Sequence, residues 1–208
     1  MIIWSSHTAN LSGTTAAAEP TLSGTVEADE LVAFEDPVAG VAGQLQTRVV
    51  RVAAGTLDFY YRVRSLSGQA LFGVEWRFRN TPTFPPLSTP ITTDVDFRLD
   101  GLGEVGPASA SRSDYLGHLQ PMSLSLLTLY FWFHTGLQPG DTSRFVYVST
   151  NATDFSRYRG FALVGEEPTW GRPRWHATAS VFAPGFANPD DQPSRFDPPT
   201  GTSPVPGA

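Results

Sequence analysis

Two residue types are missing altogether: the 208-residue chain has no cysteine, and all 14 of its basic side chains are arginines, with no lysine among them. Without thiols there is no cysteine nucleophile, no thiolate zinc site and no disulfide framework, so packing alone has to stabilise the fold. A chain of this length is expected to bury about 70% of the surface its unfolded form exposes, which suffices. Positive charge is sparse. Arg62/Arg64, Arg77/Arg79 and Arg172/Arg174 are among the few close pairs, against 20 acidic residues and a net charge of −6. A phosphate backbone is gripped by a concentrated basic patch, so no nucleic-acid partner is expected. Long apolar runs are lacking too: Leu124 to Phe133, interrupted by Ser125 and Thr128, is half of the ~20 residues that a membrane helix needs. The start, Met1 to His7, has neither a basic run nor an apolar core of leader length.

What is present is two-residue alternation. Leu57, Phe59, Tyr61 and Val63 alternate with Asp58, Tyr60, Arg62 and Arg64, the signature of a strand with one buried face. Val74, Trp76 and Phe78 alternate in the same way with Glu75, Arg77 and Arg79, and the short Ser65 to Ala70 link containing Ser67-Gly68 predicts that these two strands pair as a hairpin. Further strands are expected over Thr93 to Asp100, Ser143 to Thr150 and Trp175 to Phe182. Leu124 to Phe133, apolar on both faces, fits a central covered strand. Trp76, Trp132, Phe59, Phe78, Phe97 and Phe145 are expected in the core. With 19 glycines and 18 prolines spread between these runs and no sustained helical period, the expected fold is an all-β antiparallel sandwich, jelly-roll-like. Residues 1–20 are expected to be an extended arm or a poorly ordered segment, 21–184 the sandwich, and 185–208 a proline-rich tail that cannot keep up strand hydrogen bonding.

Several phrases occur together and in order: Gly55-Thr56-Leu57-Asp58-Phe59-Tyr60-Tyr61-Arg62-Val63, Thr92-Thr93-Asp94-Val95-Asp96-Phe97-Arg98, Pro139-Gly140-Asp141-Thr142-Ser143-Arg144, Thr150-Asn151-Ala152-Thr153-Asp154-Phe155 and Phe182-Ala183-Pro184. Taken jointly, over residues 22 to 185, they resemble exported bacterial proteins of the PEP-CTERM sorting class. The resemblance implies an envelope or extracellular setting and brings no common catalytic chemistry. Members of that class carry a leader, a Pro-Glu-Pro-like motif, a short membrane segment and a basic cluster. None of these is seen in residues 1–208, although Ser203-Pro204-Val205-Pro206 looks like the lead-in to such an anchor. Membrane attachment is therefore expected only through an anchor outside these residues.

Signals for chemistry are weak. Asp94, Asp96 and Asp100, with Glu104 beyond, raise calcium, which needs several convergent oxygens, yet an EF-hand phase would put a ligand where Arg98 stands. The stronger expectation is a charged strand face, and likewise for Glu27/Asp29/Glu30 with Glu35/Asp36. There is no Gly-x-Ser-x-Gly elbow, and His7, His118, His134 and His176 stand alone in separate segments. A glycosidase could still draw carboxylates from separate strands, with Glu166-Glu167 as the nearest pair, expected on an exposed loop. No enzymatic activity is expected.

The aromatics give the better lead. Trp170 lies in the loop Pro168-Thr169-Trp170-Gly171-Arg172-Pro173-Arg174-Trp175, where an indole could stack on a sugar or anchor a partner. The expected binding residues are thus Trp170, Trp175, Arg172, Arg174 and Tyr60, with Trp170 folding back as a lid, and Tyr60 covering arginine stems, as the plainer alternatives. The function expected first is a non-catalytic structural or interaction domain of the envelope or matrix. It would associate with itself or another matrix protein, the N-terminal arm complementing a neighbour's sheet edge. A carbohydrate-binding module is the alternative and a hydrolase the third.

Overall fold

The computed structural model describes residues 7–37, 40–80, 92–119, 122–167 and 174–186. Alternation becomes strand throughout: β1 (His7–Asn10), β2 (Gly24–Asp36), β3 (Val41–Val52), β4 (Leu57–Ser67), β5 (Leu71–Asn80), β6 (Thr93–Phe97), β7 (Ser109–Leu119), β8 (Met122–Leu137), β9 (Val146–Thr150), β10 (Phe155–Glu167) and β11 (Arg174–Phe186). They form two antiparallel sheets packed as a sandwich, one of six strands in the order β1-β7-β8-β5-β10-β11 and one of five in the order β2-β3-β4-β9-β6. The expected all-β sandwich is what the chain forms.

One face of each strand supplies the core. Leu45, Leu57, Phe59 and Val148 from the five-stranded sheet meet Leu71, Leu129, Phe131 and Phe133 from the six-stranded sheet, all 2% exposed or less. At about 25 cal/mol per Å² such side chains contribute roughly 1.5–3 kcal/mol each. Phe59 and Trp76 meet edge to face across the layers, with centroids 6.5 Å apart.

The hairpin expected between β4 and β5 is absent. β4 sits in the five-stranded sheet and β5 in the other, so the Ser67-Gly68 turn arches over the edge of the sandwich and their apolar faces look at each other. Trp132 also departs from expectation: it is half-buried on the outer face of the six-stranded sheet, parallel to Tyr130 with centroids 6.0 Å apart, and its ring lies against Gly73. Phe145 is buried, in a separate cluster on the outside of the five-stranded sheet, with Leu22, Val50, Tyr60 and Tyr147. The Phe78 side chain lies outside the described ones.

At the C-terminal end the sandwich continues past the expected boundary, with β11 running through Pro184 to Phe186. Pro184 is tolerated because β11 is an edge strand and the proline falls in a register break, between the pairs Arg159–Ala183 and Ser156–Gly185. Its carbonyl accepts the buried Tyr61 hydroxyl from β4.

From residue 7 onward the N-terminal arm is bound within the chain itself. β1 adds to the edge of the six-stranded sheet beside β7, after which the chain crosses to the five-stranded sheet. There Thr14 bridges to Arg98, its amide donating to the Phe97 carbonyl at 2.8 Å and its carbonyl accepting from the Leu99 amide at 2.8 Å. Gly13 makes the crossing possible. Its φ is 77°, and a Cβ would lie 2.7–2.8 Å from the Phe97 and Leu99 side chains. A 3-10 turn at Pro20–Leu22 then seats Leu22 in the outer cluster.

Candidate functional site

The outer face of the five-stranded sheet is organised by register. Strand pairing lines up Leu31, Gln46 and Arg62 across β2, β3 and β4. The next row is Asp29, Arg48, Tyr60, Tyr147 and Asp96, and the one after it ends in Asp58, Ser149 and Asp94. One half of this face is roofed by the arm and the other half is open.

Under the roof, Tyr60 and Asp58 are buried at 6% and 2% exposure although they stand on the polar phase of β4. Tyr60 therefore offers no exposed ring. Its hydroxyl donates to the Leu22 carbonyl at 3.1 Å, and burial, with the nearby Asp58 carboxylate, pushes it up to about 12. Burial likewise raises Asp58, to about 6; the Ser149 hydroxyl pulls the other way, while Asp94 and the arm's Glu19 add to the rise. The Asp58 Oδ2 and the Tyr147 hydroxyl are buried and without hydrogen-bond partners. Burial holds Tyr147 far above the usual tyrosine range.

Two of the acidic residues considered for calcium are engaged within the fold. Asp96 Oδ1 accepts the Gly13 amide at 2.9 Å, and Asp100 holds Arg98 at 2.8 Å and the Ala16 amide at 2.7 Å. The Arg98 and Ala16 bonds, in that order, pull Asp100 down to about 2. Among the described residues no three histidine or acidic side chains gather as metal ligands.

On the open half lies a cleft of about 550 Å³ lined by Leu31, Gln44, Gln46, Arg62, Arg64, Gly140 and Thr142. The 138–143 loop forms its far wall by running alongside β4: the Ser65 amide donates to the Asp141 carbonyl at 3.0 Å, the Gly140 amide to Ser65 at 2.9 Å and the Ser143 amide to Val63 at 2.8 Å. Arg62 is half-buried and fixed from two sides. Its Nη2 donates to Gln46 Oε1 at 2.6 Å, and its guanidinium lies 5.0 Å from the Phe145 ring centre. Burial first, then the neighbouring guanidinium of Arg48, pushes Arg62 below the usual arginine range, with Asp29 opposing. Arg48 stacks on the same ring at 5.6 Å but is paired with Asp29 at 2.6 Å. Neither Arg62 nor Arg64 has a carboxylate partner among the described residues. Beyond Phe145 a second hollow of about 540 Å³ lies between Val26, Arg48, Tyr60, Arg98 and Leu102.

Trp170 and Arg172 lie outside the described residues. Arg174 and Trp175 open β11 opposite Glu167 and Glu166, so this acidic pair is in a strand and not in the loop expected for it. Tyr60, buried under the arm, presents no exposed surface for binding. The residues of the open cleft were passed over in sequence; their one visible signal was the Arg62/Arg64 pair.

A search of family models finds no match to this chain, and neither curated proteins nor solved structures match it.

Proposed function

We propose that this chain is a non-catalytic interaction domain of the bacterial envelope or extracellular matrix, and that it works by laying the outer face of its five-stranded sheet along an extended polymer. The setting follows the resemblance to sorted exported proteins. The observation that carries the interaction is the open cleft at Arg62 and Arg64. Arg48 on this face is paired with Asp29. Arg62 is instead held by an amide and a ring, in a geometry set before any partner arrives. Such preorganisation lowers the ordering cost of binding.

A hydrolase is a poorer fit, because that chemistry needs two carboxyl groups facing across a cleft, and none of the described residues lining this cleft carries one. Self-association by arm donation is also less well supported, since residues 7–22 already complete the chain's own sheets. The test is affinity electrophoresis of the chain through gels containing neutral, carboxylated or sulfated polysaccharides. Retardation by at least one polymer, lost in Gln46→Ala/Arg62→Ala, is expected. Unchanged mobility in every gel would overturn the proposal.

A further inference from the structure

The chemistry of the cleft narrows the class of polymer. We infer that the Arg62/Arg64 cleft is a subsite for an acidic polysaccharide, one whose sugars carry carboxylate groups among free hydroxyls; this rests on the interaction reading above. Arg62 and Arg64 stand two residues apart on one face of β4, about 7 Å along the strand. Each guanidinium is a fork suited to a planar carboxylate, and a charge-assisted bidentate pair is among the strongest polar contacts a surface can make.

The rest of the lining is not simply basic. The Gln44 amide and the Thr142 hydroxyl can each donate and accept, Gln46 keeps one N–H to offer beyond its bonds to Arg62 and Asp29, and Leu31, 62% exposed, offers an apolar contact at the rim. That mixture of two cations, two amides, a hydroxyl and one aliphatic patch matches a ligand with sparse negative charge, many hydroxyls and a C–H face. A densely charged polyanion such as a nucleic acid is a poorer match. The chain as a whole carries a net charge of −6, and Glu27, Asp29, Glu30 and Glu35 line the adjoining strand β2. The volume, about 550 Å³, lies within the range of small-ligand sites and sets the scale of the bound unit at one or two sugars.

The full chain is titrated calorimetrically with polygalacturonate, with the same polymer after methyl esterification, with dextran and with a sulfated glycan. Binding to polygalacturonate is expected, with loss on esterification, weakening as salt rises, and a drop of about tenfold for Arg62→Ala and again for Arg64→Ala. Trp132→Ala, on the opposite face, is expected to bind as the parent does. Preference for the sulfated glycan would keep the anionic subsite and replace the carboxylate by sulfate. Equal binding to the esterified polymer or to dextran, or affinity that falls in Trp132→Ala and not in the arginine variants, would overturn the acidic class while leaving a polymer-binding domain. No binding to any of the four would overturn both.

Discussion

Asp58 gives the sharpest test of how the arm sits on the sheet. It is 2% exposed, one of its oxygens is unpartnered, and its carboxyl is raised from 3.8 to about 6. The folded protein therefore holds a proton at Asp58 more tightly than the unfolded chain does. Below pH 3.8 both states are protonated and the site costs nothing. Between 3.8 and about 6 the unfolded chain ionises first, so stability falls as pH rises; above about 6 the full cost is present. At about 1.4 kcal/mol per pH unit, that gap corresponds to about 2–3 kcal/mol at neutral pH.

Asp58→Asn removes the charge and keeps the shape, with an amide oxygen still able to accept from Ser149. The variant is expected to be about 2 kcal/mol more stable than the parent at pH 7.5, equivalent to a midpoint roughly 4–8 °C higher for a chain of this size. At pH 4 the two should melt nearly together. Urea unfolding of both proteins at the two pH values measures this. A difference independent of pH would refute the reasoning, and so would a variant less stable at pH 7.5, because either would mean that the carboxylate is not held in a desolvated site under the arm.

Other outcomes follow from the same geometry. Gly13→Ala should cost about 1–3 kcal/mol, from a left-handed backbone and the crowding at Phe97 and Leu99, and should speed amide exchange at Thr14 and Leu99; unchanged exchange would mean that the crossing is not fixed by this residue. Deleting residues 1–22 uncovers Tyr60, Tyr147, Val50 and Phe145, so light scattering should show more association, and a well-behaved monomer would contradict the roof described for the arm. Tyr61→Phe leaves the Pro184 carbonyl without its donor and should lower urea stability by about 1–3 kcal/mol, whereas no change would remove the tie between β4 and β11. Asp29→Ala should shift stability by less than about 1 kcal/mol, since its pair with Arg48 is more than a third exposed on both sides.

How much of this was legible in the sequence depended on which interactions are local. The alternation of Leu57 to Arg64 sorted each side chain to its correct face, because the period of a strand is a property of consecutive residues. It could not say what covers the second face. Asp58 and Tyr60 read as solvent-facing, and they would be, except that a segment some forty residues earlier lies across them. Trp132 shows the converse. In a run apolar on both faces the phase carries no information, so the ring that packs on Gly73 of a neighbouring strand was indistinguishable from the rings that enter the core. The β4 and β5 segments are both strands as expected, while their pairing is not the expected one. Two amphipathic strands joined by a short turn can bury their apolar faces side by side in one sheet or face to face across two, and Phe59 with Trp76 makes the second choice.

The cleft illustrates the same limit at a candidate binding site. Arg62 and Arg64 stood out as a close pair, but a pair of arginines on a strand is ordinary until its surroundings are known. Those surroundings come from Gln44 and Gln46 through the β3–β4 register, and from Phe145 and the 138–143 loop nearly eighty residues further along. What makes Arg62 a candidate ligand-binding group is that, among the described residues, it is held by an amide and a ring and not by a paired carboxylate, and these are facts of register that no single strand contains.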